Sequence, residues 1–206
     1  MNKIIKVTAL SLLLASSSTL LATDSFVNSI GINLGKSYTN SQQKNNQGNI
    51  TLGNTPKESN NSIELFAILN PLTDICKEYN MKPYISYTYS KNTDLKHQYL
   101  LVGVNKYYNP SNSKVELYTG ALLGYGQIDW KYDPLNDSQN KNIDANSFIG
   151  GVQAGLSYPV NENLSLNLNT KYLVHNYETK LKTTNANATI KQDNTSSFSF
   201  GLIYKF

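Results

Sequence analysis

The segment from Ser196 to Phe206 reads Ser-Ser-Phe-Ser-Phe-Gly-Leu-Ile-Tyr-Lys-Phe. Phe198, Phe200, Leu202, Tyr204 and Phe206 take every second position, with Ser197, Ser199, Gly201, Ile203 and Lys205 between them. Successive side chains of an extended chain point to opposite faces, so the segment has one wholly apolar face and one mostly small or polar face. A water-soluble strand rarely commits five large apolar residues to one face. A strand with hydrocarbon against one side must do so.

The same alternation recurs along the chain. Phe26, Ile30, Ile32, Leu34 and Tyr38 alternate with Val27, Ser29, Gly31, Asn33, Gly35 and Ser37 in a first strand. Residues 39–61 are rich in Asn, Gln, Lys and Gly and read as a loop, with room for a short hairpin around Ile50 to Leu52. A second strand over 62–69 sets Ile63, Leu65, Ala67 and Leu69 outward and Glu64 and Phe66 inward, and Asn70-Pro71 stops it. The third covers 83–90, and a polar link at 91–96 leads to a fourth ending at Tyr108, with Tyr99, Leu101, Gly103 and Asn105 inward. Asn109 to Ser113 is a turn. A fifth strand runs from Lys114 to about Tyr132, a sixth includes Phe148 to Tyr158, and a seventh begins at Leu164 with Asn169, Lys171, His175 and Tyr177 inward. Loops are expected over 133–144 and 179–194.

Eight segments of the length a tilted strand needs to cross a bilayer predict an all-β fold: an eight-stranded antiparallel transmembrane up-and-down barrel. An even count places both termini on the periplasmic side. Long polar connections follow strands one, five and seven, and short ones follow strands four and six, which gives long extracellular loops and short periplasmic turns. The short link after strand three and the long stretch 70–82 break that rule, and a hairpin hidden in the first loop would raise the count to ten. An open sheet edge is excluded in hydrocarbon, so strand eight must pair with strand one. A soluble barrel would need the Leu-, Phe- and Tyr-rich faces inside, leaving a Gly-heavy exterior with few charges.

The lumen of eight strands is just wide enough for side chains to fill. Phe66, Tyr84, Tyr99, Leu101, Tyr118 and Leu122 are large enough to plug it, so no continuous ion pore is expected. Glu64, Glu116, Lys171 and Lys205 fall on inward positions, and buried charges require partners. Glu64 and Lys171 are expected in one polar network, with Glu116 and Lys205 nearer the periplasmic mouth. His175 is expected as a hydrogen-bonding group of the lumen or its rim.

Met1 to Ala22 has a basic start, a short apolar core and a small residue at its end, the pattern of a secretory signal peptide, which leaves 23–206 as the barrel. Removing it takes Lys3 and Lys6, so the formal charge falls from +4 to +2. That is no nucleic-acid footprint. Lys36, Lys91, Lys131, Lys180 and Lys182 fall near the outer interface, where lipopolysaccharide phosphates lie. Fifteen Tyr and six Phe suit aromatic girdles at two membrane surfaces. One cysteine, Cys76, forms no internal bridge, and with two separated His it supplies no zinc ligand set. No cofactor, metal or catalytic residue is expected. Gly120 to Gly126 opens no helix and is no phosphate loop.

The leader, the eight segments, Lys82-Pro-Tyr-Ile-Ser-Tyr87, Gly155-Leu-Ser-Tyr-Pro159 and the terminal Tyr204-Lys-Phe206 resemble the small outer-membrane barrels of the OmpA, OmpX and opacity-protein kind. The resemblance implies a bacterial outer-membrane location. It also implies that Leu202, Tyr204 and Phe206 serve as the signal read by the barrel-assembly machinery. The implied role is structural, or surface interaction through the loops. Two other functions occur among such barrels: a narrow channel or carrier for small apolar molecules, of the OmpW kind, and lipid A modification. The lipid A deacylases carry His-x-Ser-Asn, whereas here Tyr177 stands where the Ser would be, which argues against a catalytic His175.

Overall fold

The computed structural model describes residues 26–45, 55–92, 95–111, 113–130, 143–182 and 187–206, with the side chains at 41–45, 55–58, 130, 143, 179–182 and 187–190 left out. The leader over 1–22, the suggested hairpin at Ile50 to Leu52 and the side chains of Lys131, Lys180 and Lys182 lie outside what is described.

Eight antiparallel strands close on themselves: β1 Val27–Asn45, β2 Thr55–Leu69, β3 Met81–Lys91, β4 Leu95–Tyr108, β5 Glu116–Trp130, β6 Ile143–Pro159, β7 Leu164–Lys182 and β8 Asn187–Lys205. A five-residue helix, α1 Asp74–Glu78, lies between β2 and β3. Each strand pairs with its sequence neighbours, and β8 pairs with β1 from Ser29↔Lys205 to Asn45↔Ala188. No described helix is long and apolar enough to cross a membrane; the strands do the crossing.

The register gives the barrel its dimensions. From Thr39 the hydrogen-bonded row passes through Thr195, Leu173, Gly151, Leu122, Gly103, Tyr84 and Ile68, and returns to β1 at Ser29. The row has slipped ten residues along β1 in one circuit, which for eight strands means a tilt of about 40°. Ten residues at about 3.3 Å each then rise about 25 Å, the height of the apolar band such a barrel needs. The outward positions match. Leu34, Val102, Leu123, Val152, Phe198 and Phe200 are exposed along the band, Leu123 at 69%. Tyr108, Tyr158, Tyr204 and Phe206 ring the terminal end, where β1 starts and β8 stops, and Tyr38, Tyr125, Phe148 and Tyr172 ring the far end. Thr170 is exposed on this face, and its hydroxyl donates to the Ser197 carbonyl, 3.1 Å away.

The strands are longer than the apolar pattern suggests. The loops expected over 39–61 and 179–194 are corrected here: β1 runs to Asn45, β2 starts at Thr55, β7 reaches Lys182 and β8 starts at Asn187. Beyond the band the outward face no longer meets hydrocarbon, so the ladder continues without an apolar face to mark it. The long 70–82 stretch is accounted for by α1. Thr73 caps it by accepting from the Cys76 N–H at 3.2 Å, and Asn80, at φ 50°, turns the chain into β3. Asn is one of the residues that tolerates this left-handed geometry.

Lipid facing Leu34 makes a charge there costly. Leu34→Lys, near mid-band, is expected to lower folding stability in vesicles by about 2–4 kcal/mol, read from urea titration. An unchanged midpoint would contradict the lipid-facing assignment.

Candidate functional site

The inward faces of seven strands meet in one hydrogen-bonded network. Glu64 (β2) is its centre. Its Oε1 accepts from Lys171 Nζ and from the Tyr84 hydroxyl (2.8 Å), and its Oε2 accepts from Asn33 Nδ2 at 2.9 Å. Lys171 also donates to the Tyr84 hydroxyl at 3.1 Å. From Asn33 the chain of bonds runs on. Asn167 Nδ2 donates to Asn33 Oδ1 (2.8 Å), and the Tyr118 hydroxyl donates to Asn167 Oδ1 (3.0 Å). Asn169 Nδ2 donates to both the Tyr118 hydroxyl (2.9 Å) and Gln153 Oε1 (3.2 Å), and Gln153 Nε2 reaches Asn105 Oδ1 at 2.7 Å. All nine side chains are buried. β8 supplies none of them. A Cβ at Gly201 would collide with Asn33 Oδ1 and the Ile32 carbonyl, so the glycine there makes room for the network.

Beyond this polar layer, Leu101, Leu122, Ile149 and Leu173 are at most 2% exposed. On its own strand each stands between a polar-network residue and the far mouth. A second cluster caps that layer. His175 Nδ1 lies 3.0 Å from the Gln192 carbonyl, and its Nε2 lies 2.9 Å from Thr195 Oγ1, which in turn lies 3.1 Å from Thr39 Oγ1. A carbonyl only accepts, so Nδ1 carries the proton; Thr195 then donates to Nε2, and Thr39 donates to Thr195. The β7–β8 register shifts between Val174 and Tyr177, and at that bulge the imidazole takes up the Gln192 carbonyl. His97 Nε2 contacts the Tyr177 hydroxyl at 2.9 Å, and the two imidazoles stand edge to face at 5.6 Å. A base beside a hydroxyl is part of what acyl-transfer chemistry needs. Thr195 is wholly buried, however, and its oxygen is held from two sides.

The outer wall carries one more ordered set. Lys36, Asn61, Lys91, Lys96, Asp129 and Asp144 share a single hydrogen-bonded row across β1 to β6. Because the strands tilt, the row climbs out of the apolar band. Lys36 and Lys91 are exposed. Lys96 Nζ meets Asp129 Oδ2 at 2.6 Å. Partial burial raises Asp129, but the Lys96 bond and charge outweigh it and hold the carboxyl below its usual value. Asp144, opposite it, is raised by partial burial and by that neighbouring carboxylate. Among the described residues, no group of three or more His, Cys, Asp or Glu is placed to hold a metal.

A family model for the OmpA-OmpF-like porins matches residues 19–205. The chain belongs to the OmpA-OmpF-like porin family. It is an outer-membrane β-barrel. No curated protein matches it. Among solved structures, the Neisserial surface protein A is similar with a TM-score of 0.56 at 18% identity, over 86% of this chain and 97% of that one. The outer membrane protein OprG of Pseudomonas aeruginosa is similar with a TM-score of 0.59 at 15% identity, over 87% of this chain and 96% of that one. At such identities the likeness is one of fold.

Within this porin-family barrel the sequence-derived site residues divide. Glu64 and Lys171 come together at the centre of the lumen. His175 lies apart from them, in the cluster at the far mouth. The placement of Glu116 and Lys205 in a lumen network is corrected: Glu116 is half-buried and Lys205 exposed, both at the terminal end, and no ion pair joins them among the described residues. Their positions have inward parity, but the wall stops there and water reaches them. His97, one of the two imidazoles in the sequence, has no lumen role in the sequence reading, because it follows a stretch that reads as a polar link. Its parity with Tyr99 and Leu101 was the available signal.

Lys171→Met would leave the Glu64 carboxylate buried and unpaired. A loss of about 3–5 kcal/mol is expected, with more than half recovered in Glu64→Gln/Lys171→Met, both read by urea unfolding in detergent or lipid. A single variant as stable as the parent protein would contradict the pairing.

Proposed function

We propose that this chain is a structural, non-conducting barrel of the bacterial outer membrane. Both termini lie in the periplasm, and its far end is presented at the cell surface, where its loops serve envelope integrity or surface contact. The observation that carries this reading is the filled lumen: nine buried side chains in one network, followed by a layer of Leu and Ile and then by the imidazole cluster. Such an interior supports neither free passage of ions nor access of a substrate to His175, so the chain is read as having no enzymatic activity. The outer wall supports contact with lipopolysaccharide, because Lys36 and Lys91 are exposed on its outward face toward the far end, and long lysine side chains reach outward to phosphate groups. Leu202, Tyr204 and Phe206, exposed on β8 and just after it, are the groups proposed to be read by the assembly machinery.

Two measurements test the reading. In planar bilayers the purified protein is expected to give no unitary conductance steps, whereas regular steps would favour a channel. Lipid A from cells with and without the protein is expected to give identical mass spectra. A protein-dependent loss or gain of an acyl chain would overturn the non-enzymatic assignment.

A further inference from the structure

The stretch between β2 and β3 does more than reverse the chain. Leu72, Ile75 and Tyr79 are 62%, 64% and 53% exposed, three large apolar side chains within eight residues. A tight turn of one or two polar residues would suffice to join two antiparallel strands. Ile75 and Tyr79 are four apart, joined by the Tyr79 N–H to Ile75 carbonyl bond at 3.1 Å, so they share one face of α1. Lys77 lies about half a turn away from that face, in a surface pair with Asp74.

The orientation of this apolar face is fixed by the wall beside it. Asn80 locks the end of the turn to β4: its carbonyl accepts from the Tyr107 N–H at 3.0 Å, and its Nδ2 donates to the Tyr107 carbonyl at 3.3 Å. Lys106 Nζ lies 6.0 Å from the centre of the Tyr79 ring. Lys106 shares the outward face of β4 with Val104 and Tyr108, both exposed in the lipid-facing surface. The ring of Tyr79 is therefore continuous with the aromatic girdle at the terminal end, on the lipid side of the wall.

We propose that α1 and its flanks form an in-plane anchor: Leu72, Ile75 and Tyr79 dip into the head-group boundary of the adjoining leaflet, while Lys106 faces its phosphates and Lys77 points to water from the opposite side of α1. The occupant is glycerophospholipid. An apolar face backed by lysines is the composition of interfacial segments, and here it extends a surface already facing lipid. That the leaflet is the inner one rests on the periplasmic placement of the termini proposed above.

The test places single tryptophans. Ile75→Trp and Lys77→Trp are each made in a Trp130→Phe background and reconstituted in phosphatidylcholine vesicles brominated in the acyl chains near the head group. Barrel folding is checked by heat-dependent gel mobility. Quenching at position 75 is expected to exceed that at position 77 by about threefold or more. Equal, weak quenching at both sites in folded barrels would overturn the proposal and leave a periplasmic protein as the occupant. Should Ile75→Trp not fold, the same comparison is made with Leu72→Trp. The orientation is tested separately: a membrane-impermeant maleimide is expected to label Cys76 only after the outer membrane of intact cells is permeabilised. Labelling of untouched cells would reverse the leaflet without touching the vesicle result.

Discussion

Hydrocarbon offers no hydrogen bond to a backbone N–H or C=O, and each one left unpaired there costs several kcal/mol. The β1–β8 ladder is where this chain meets that constraint. Seven of its eight strand pairings join sequence neighbours; the eighth joins the two ends of the chain. Without it β1 and β8 would each expose a row of unpaired groups to lipid. Closure with a slip of ten residues sets the tilt, the tilt sets the height of the apolar band, and the strand number sets a lumen that side chains can fill. The rest of the molecule is built inside or outside that wall.

Inside, chemistry is distributed unevenly around the barrel. β7 contributes Asn167, Asn169 and Lys171, while β8 beside it contributes Ser197, Ser199 and Gly201. The small face leaves the volume into which the large polar face reaches, and the Glu64 carboxylate gathers donors from three other strands. A buried ion pair of this kind is poor evidence for stability in itself, since desolvation offsets much of the attraction. Its effect is better described as specificity: any slip in register would separate Glu64 from Lys171 and expose one of them to an apolar neighbour. The Leu and Ile layer above it has no such polar demands and closes the path between the two polar clusters. On the non-conducting reading proposed above, the outer wall and the two ends are the surfaces through which the protein meets other molecules.

Much of this was legible in residue order. Alternation alone located all eight strands and the face each turns to lipid, because a period of two with one face wholly apolar has few physical causes. It also identified Tyr84, Tyr99, Tyr118, Phe66, Leu101 and Leu122 as filling, and brought Glu64 and Lys171 together, since two opposite charges on inward parity have nowhere else to go. Strand ends were not legible. Past the apolar band the outward face meets water in place of hydrocarbon, and Thr, Asn, Gln and Lys continue the ladder as readily as they would form a loop. Parity misled at Lys205 for the opposite reason, because it holds only while there is a wall to point into. The His175, Thr195 and Thr39 cluster depends on a bulge between β7 and β8, which moves one carbonyl into reach and leaves no mark in composition. The α1 turn was visible only as excess length.

The account rests on the ring being closed, and amide hydrogen exchange of the folded protein in lipid reads that closure directly. Amides of β1 from Ile30 to Tyr38 and of β8 from Phe198 to Leu202 should be protected to the same degree as those at the centre of β5. Rapid exchange confined to β1 and β8, with β4 and β5 still protected, would mean an open edge and would contradict the barrel from which the lumen, the lipid face and the function were argued.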